Sequence, residues 1–153
     1  MEPPNAPRLS TFMIDRMGQW VEAMRARRYE QAWALAGRTL AERDPTTRDD
    51  PTQPYHLRWV WNGDPVDGRD VLVRCYHGLG DTLQFARFLP LLARRAASVT
   101  LEVQPRLLDL VATIDPDIHL HPFDQAAPLA AADLDIEITE LCLALRARPS
   151  AVE

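Results

Sequence analysis

Strands and helices alternate along the second half of the chain, and this alternation restricts the possible folds more than any other feature. Residues 70–75 and 98–103 are short runs rich in β-branched side chains, which are typical of strands. Residues 81–97, between them, carry apolar side chains at helical spacing. Two shorter strands are predicted at residues 118–120 and 133–138, and two short helices at residues 105–112 and 140–146. Such alternation predicts an α/β fold with a parallel sheet and right-handed crossovers.

We therefore predict a Rossmann-like half-domain over residues 69–147. Pro90 lies inside the first crossover helix and would kink that helix or split it at Leu89. The apolar positions continue across this point, so we expect one helix. Those positions are Phe85, Phe88, Leu89, Leu92 and Ala96.

The first part of the chain has the pattern of a helical hairpin over residues 10–45, after a flexible tail at residues 1–9. Tyr29, Ala32 and Pro45 occupy the places of the Tyr, Ala and closing Pro of a tetratricopeptide unit. Only one such unit is present, whereas a stable solenoid needs about three or more. We interpret the hairpin as a remnant or a cap that packs on the main domain.

A linker is predicted at residues 46–68, and a second tail at residues 148–153. Trp59 and Trp61 alternate within the linker, which fits either a short strand or an anchor against the core.

The composition excludes several classes of protein. A net charge of −5 argues against a nucleic-acid binder whose affinity comes from a basic surface. No apolar run approaches the roughly 20 residues that span a bilayer, so we expect no membrane span and a cytoplasmic protein. Cys75 and Cys142 are far apart and outside any CxxC motif, which suggests neither a disulfide framework nor a zinc site.

The most informative local motif is the turn Gly78-Leu79-Gly80-Asp81, between the first predicted strand and its helix. Ligands of parallel α/β sheets bind outside the carboxyl ends of the strands. Two glycines allow a tight turn and a close approach to a ligand, and the start of a helix can receive an anion. Asp81 falls at or near the N-cap. It is either a helix cap worth about 1 kcal/mol or a general base that takes a proton from an acceptor hydroxyl.

A dinucleotide site is an alternative. Gly78, Gly80 and Leu83 give GxGxxL, so the third glycine of the GxGxxG motif is missing. Glu102 lies near the end of the second strand, where the ribose-binding acid of that motif would lie. A P-loop is excluded because no Gly-Lys-Ser/Thr occurs.

Two further sets of polar residues suggest a function less strongly. His119 and His121 share a face of a predicted strand, but a metal site needs further ligands, so we expect a polar strand edge and no metal. Asp133, Asp135 and Glu137 also alternate on one strand face, for which we expect a solvated face or sheet edge.

Residues 77–90, His-Gly-Leu-Gly-Asp-Thr-Leu-Gln-Phe-Ala-Arg-Phe-Leu-Pro, resemble the glycosyltransferase family 9 (heptosyltransferase-like) domain found behind tetratricopeptide repeats in bacterial proteins. The resemblance extends over residues 20–145. Further matching segments are Arg58-Trp59, Asn62-Gly63, Gly68-Arg69 and Leu101-Glu102-Val103-Gln104-Pro105.

This resemblance implies the N-terminal, acceptor-side half of a GT-B fold, with Asp81 as the catalytic base. Relatives often have Glu and Gln at the positions of Tyr76 and His77, so this chain departs from the pattern there. His77, as a loop residue, would donate a hydrogen bond to the ligand. The resemblance implies a substrate-binding set of His77, Gly78, Leu79, Gly80, Thr82, Gln84 and Arg87.

The resemblance also implies the partners. The donor would be a nucleotide sugar, bound mainly by a second, C-terminal domain that is missing from this chain or separate from it. The acceptor would be a sugar or a protein, the reaction hexosyl or heptosyl transfer, and no cofactor is expected. An apolar flank where the second domain docks would favour homo-oligomers. The alternative is a non-catalytic protein-interaction module built from the hairpin and the Rossmann-like domain.

Overall fold

The computed structural model describes residues 11–149, with side chains from Asp15 onward. The predicted tail at residues 1–9, and residues 150–153 of the second tail, lie outside this range. The chain divides into two compact units, of which the first ends at Glu42 and the second begins at Arg43.

The first unit is a pair of helices, α1 (Thr11–Arg25) and α2 (Tyr29–Ala41). Arg27 lies between them with φ of 56°, a left-handed conformation that reverses the chain. Arg16 near the start of α1 pairs with Glu42 just beyond α2, at 2.6 and 2.9 Å, so the helices run antiparallel. The helices are confirmed, while their relation to a tetratricopeptide unit stays a prediction.

The second unit contains a parallel sheet of four strands in the order β3-β2-β1-β4. The strands are β1 (Asp70–Arg74), β2 (Ser98–Val103), β3 (His119–Pro122) and β4 (Leu134–Glu137). Its helices are α3 (Leu79–Ala86), α4 (Leu89–Ala93), α5 (Leu108–Val111) and α6 (Leu141–Ala144). The predicted α/β, Rossmann-like parallel sheet is thus confirmed. Within residues 11–149, no helix has both the length and the apolar character needed to cross a membrane.

The strand order places a topological switch point between β1 and β4. From β1 the chain moves outward to β2 and β3, and it then returns to the other side of β1 as β4. Open parallel sheets bind their ligands outside the carboxyl ends of the strands at such a point. The α3 helix contacts the 3₁₀ turn Ile138–Glu140 there.

The prediction of one continuous helix over residues 81–97 is wrong. The α3 helix begins two residues earlier, at Leu79, and ends at Ala86, and α4 begins at Leu89. Pro90 is the second residue of α4, because a proline in mid-helix lacks the N–H donor and its ring would clash with the carbonyl one turn earlier. The apolar stripe is nevertheless largely buried, as Leu89 and Leu92 show.

The irregular segment before β1 packs against residues that follow the strands of the sheet. Tyr55, from the 3₁₀ turn Tyr55–Leu57, packs at a tilt against Tyr76 beyond β1, with ring centroids 4.8 Å apart. Trp61 is buried, and its indole N–H donates to the carbonyl of Asp64 at 2.9 Å. No strand forms at Trp59–Trp61, so the segment is the anchor rather than the strand.

Candidate functional site

The Gly78–Asp81 turn lies directly beyond the carboxyl end of β1. The chain leaves the core through Tyr76, which is buried, and His77, which is half-buried, and then reaches the surface. Gly78 is the N-cap of α3, and Leu79, Gly80 and Asp81 form its exposed first turn. The predicted turn therefore lies beside the topological switch point.

The glycines of the turn are not required by its backbone. Neither Gly78 nor Gly80 has a positive φ. A Cβ on Gly78 would meet only an Asp81 carboxylate oxygen at 3.5 Å, and one on Gly80 would meet nothing within 4 Å. The turn therefore does not depend on glycine at either position, and the effect of the two glycines is to leave the backbone surface bare.

Asp81 is the third residue of α3, not its N-cap. Its Oδ2 accepts a hydrogen bond from the backbone N–H of Gly78 at 3.3 Å. This contact satisfies one of the donors at the helix start and holds the carboxylate over the turn. The rest of the side chain is exposed, so the same carboxylate remains accessible to a ligand.

Gln104, just beyond β2, holds the turn from behind. Its side-chain amide donates to the carbonyls of Cys75 at 3.1 Å and His77 at 2.8 Å. Its Oε1 accepts from the hydroxyl of Thr82, which is fully buried. Thr82 therefore supports the turn from the interior, and a contact with a ligand would require the turn to move.

Gln84 and Arg87 lie farther along α3. Both are exposed, and Arg87 caps the far end of the helix, with its guanidinium 5.1 Å from the ring centroid of Phe88. At about 1.5 Å per residue, the Arg87 backbone lies roughly 9 Å along the helix axis from that of Asp81. The fold therefore brings His77, Gly78, Leu79, Gly80 and Asp81 together, but leaves Arg87 apart from them.

Glu137, the last residue of β4, is not among the site residues that the sequence predicts. We expected it on a solvated face, but it is 4% exposed, so that expectation is wrong. Its Oε1 lies 3.9 Å from Nδ1 of His77, and both atoms are buried without a hydrogen-bond partner. Its proximity to His77 depends on the strand order, which no local pattern reveals.

Burial sets the protonation of this pair. It raises the pKa of Glu137 to about 8, which Glu140 raises further and Arg43 opposes. Burial lowers the pKa of His77, while Asp81 opposes this change and His56 adds to it. At neutral pH the carboxyl therefore holds its proton, and the imidazole is uncharged.

Glu140, a second carboxylate close to Glu137, forms an ion pair with Arg43. Burial raises the pKa of Glu140, while Arg43 counteracts that rise. The Arg43 Nη2 lies 2.5 Å from the Glu140 Oε1. Glu140 is therefore a structural ion-pair partner beside Glu137.

A buried ionic network links side chains of three neighbouring strands of the sheet. Arg74 donates to Glu102 at 2.6 Å and to Asp135 at 2.7 and 3.1 Å, and all three are at most 3% exposed. The expected solvated face is therefore wrong for Asp135 as well. The other oxygen of Glu102 accepts from the N–H of Leu129 at 2.6 Å. Both carboxylate oxygens of Glu102 are thus hydrogen-bonded, and the residue is fully buried. This overturns the hypothesis of a dinucleotide site, in which Glu102 would bind a ribose.

The remaining candidates give no metal site. His119 and His121 lie on β3, the edge strand of the sheet. Among residues 11–149, no group of three or more His, Cys, Asp and Glu side chains is arranged to hold a metal ion. Cys75 is buried and forms no disulfide, and burial raises the pKa of its thiol to about 12.

No known family model, curated protein or solved structure matches the chain. The fold and the site themselves thus define the class: an α/β domain with a Rossmann-like parallel sheet, and with polar side chains gathered at its topological switch point.

Proposed function

We propose that the chain is the acceptor-side half of a nucleotide-sugar-dependent glycosyltransferase, similar to the N-terminal domain of glycosyltransferase family 9, with Asp81 as the general base. One observation carries the proposal. An exposed carboxylate is held at the switch point of a parallel sheet, in the first turn of α3, next to bare glycine backbone. Parallel sheets bind their ligands at this position.

The proposed reaction follows from this placement. An acceptor hydroxyl lies over Gly80, and its proton passes to the Asp81 carboxylate as the oxygen attacks the anomeric carbon of the donor sugar. The bond between that carbon and the diphosphate breaks, and the nucleoside diphosphate leaves with the bonding electrons. The hydrogen bond from Gly78 fixes the carboxylate for this step. The donor is bound mainly by a second domain.

To test the proposal, the chain is combined with the donor-binding domain of a family 9 enzyme. Sugar transfer is then measured by mass spectrometry of the glycosylated acceptor. Asp81→Asn should lower kcat by about 10²- to 10⁴-fold, the range that general-base catalysis contributes. The amide oxygen can still accept from Gly78, so the helix start is preserved. Asp109→Asn, at an exposed position on α5, is the matched control. Transfer by Asp81→Asn at the control rate would refute the proposed base.

The second candidate is a non-catalytic interaction module. The hydrogen bond from Gly78 to Asp81 is one that an ordinary acid in the first turn of a helix makes. Leu79 and Leu83, four residues apart on α3, are 39% and 46% exposed, although both are apolar. Calorimetry with nucleotide sugars and methyl glycosides separates the two candidates. Heat of binding that weakens in Asp81→Ala favours the enzyme, and a folded chain that binds none of them favours the module.

A further inference from the structure

Two buried polar atoms without hydrogen-bond partners face each other next to Asp81. They are Oε1 of Glu137 and Nδ1 of His77, 3.9 Å apart. Buried side-chain polar atoms almost always have a partner, so each such atom requires an explanation. The two residues lie at the carboxyl ends of the adjacent strands β1 and β4, the two strands that flank the switch point.

We propose that Glu137 and His77 share one proton as a single acid–base pair, and that this pair orients the imidazole to bind a vicinal diol of the acceptor sugar beside Asp81. Glu137 is the positioning residue in this arrangement, and His77 is the residue that contacts the ligand. The sugar as ligand rests on the proposed function, whereas the sharing of a proton does not.

The geometry favours this assignment of roles. The His77 side chain is 25% exposed while its Nδ1 is buried, so the exposed part of the ring lies on its other atoms. Gln104 fixes the backbone of His77 at its carbonyl oxygen. A movement of about 1 Å by either side chain would bring Oε1 and Nδ1 to hydrogen-bonding distance. A carboxyl O–H that donates to Nδ1 then leaves the proton of the neutral ring on Nε2.

Burial is the main reason that both groups of the pair stay uncharged, and the neighbouring charges only modify this effect. Glu137 is faced by Glu140, whose charge Arg43 balances at 2.5 Å, and by Asp49 at longer range. His77 is faced by Asp81 and by His56.

The proton count follows from this environment. Transfer from the carboxyl to the ring would separate charges in a buried place, which is unfavourable, so the proton stays on the carboxyl. When Asp81 takes a proton from one acceptor hydroxyl, Nε2–H of His77 donates to the neighbouring hydroxyl. The pair neither gains nor loses a proton in that step.

The first experiment tests the pair on the full chain by NMR. The side-chain carboxyl carbon of Glu137, identified by its loss in Glu137→Gln, is titrated from pH 5 to pH 10. His77→Phe keeps the bulk of the ring but removes the acceptor of the carboxyl proton. The Glu137 titration midpoint should then fall by about one pH unit, as expected for two coupled groups. His119→Phe, on the edge strand, is the control and should leave the midpoint unchanged.

A Glu137 midpoint that stays constant or rises in His77→Phe overturns the shared proton. The same holds if ¹⁵N spectra of the wild type at neutral pH show the His77 ring protonated on Nδ1 instead of Nε2. Both measurements are independent of any transferase activity.

The second experiment adds methyl hexosides and heptosides to the same samples. The His77 ring signals should shift saturably in the wild type, and this shift should be lost in Glu137→Gln. If the two groups are coupled but no glycoside moves the ring signals, the sugar ligand is wrong, and the proposed acceptor role loses its support. If glycosides bind and Asp81→Ala abolishes binding, but Glu137→Gln does not affect it, the pair is wrong and the proposed function stands.

Discussion

Replacement of Arg74 by Met should destabilise the chain strongly, because it removes the cation of a buried ionic network. The guanidinium lies between Glu102 and Asp135 and donates three hydrogen bonds to them, at 2.6, 2.7 and 3.1 Å. Methionine fills a similar volume but donates nothing, so two buried carboxylates lose their counter-charge.

The magnitude follows from the burial of the network. Hydrogen bonds to charged groups contribute about 1.5–3 kcal/mol each, so three of them set an upper limit of about 9 kcal/mol. The guanidinium no longer has to be desolvated in the variant, which offsets part of that loss. Removal of one member of a buried ionic group costs about 3–5 kcal/mol in measured cases. We expect a loss in this range, a large share of the roughly 5–15 kcal/mol that stabilises a typical domain.

Urea denaturation followed by circular dichroism measures this loss. The matched variant is Arg74→Met with Glu102→Gln and Asp135→Asn, in which the amide oxygens still accept from the N–H groups of Leu129 and Ala132. Because no uncompensated charge remains, this triple variant should recover about 2 kcal/mol or more. A loss below about 1 kcal/mol in Arg74→Met, or no recovery in the triple variant, would contradict the role assigned to the network.

Four further outcomes are expected. Gly80→Ala should raise the free energy of unfolding by up to about 1 kcal/mol, since alanine is the better helix former. The same substitution should weaken glycoside binding in calorimetry, and unchanged binding would show that no ligand approaches this backbone. The pKa of Glu137 is raised from 4.5 to about 8 in the folded state. The free energy of unfolding should therefore fall as pH rises between these two values, by at most about 1.4 kcal/mol per pH unit. Glu137→Gln should flatten this dependence on pH. Gln104→Leu should cost about 1–3 kcal/mol and speed hydrogen exchange at residues 77–82, and exchange at the wild-type rate would argue against its support of the turn. Cys75 should resist thiol reagents in the folded chain, because burial raises its pKa to about 12, and it should react only on unfolding.

The strands were predictable because their signals are local. The apolar, β-branched run of β2 was predicted with the bounds that the structure has, and that of β1 within one residue. The alternation of strands and helices was sufficient to predict parallel pairing. The position of the Gly78–Asp81 turn beyond β1 followed from the same order of elements.

The break at Pro90 shows where local signals conflict. The apolar stripe favoured one helix, and the proline favoured two. Phe88, Leu89 and Leu92 of the stripe are buried although the helix is interrupted at this point. The stripe therefore carried no information about continuity, and the missing N–H and the ring of Pro90 decided the outcome.

The amino-acid sequence by itself determined the class of fold and the identity of the turn, because periodicity and turn residues act over a few neighbouring positions. Tertiary structure alone decided that the alternating acids on β4 are buried. Acids at every second position indicate a wet face, unless a buried cation on the neighbouring strand compensates them. Pairing of β1 with β4 brings Asp135 within 2.7 Å of Arg74 and sets Glu137 3.9 Å from His77, although Arg74 and Asp135 are 61 residues apart in sequence. Charge compensation of this kind depends on strand order, which the local pattern of neither strand contains.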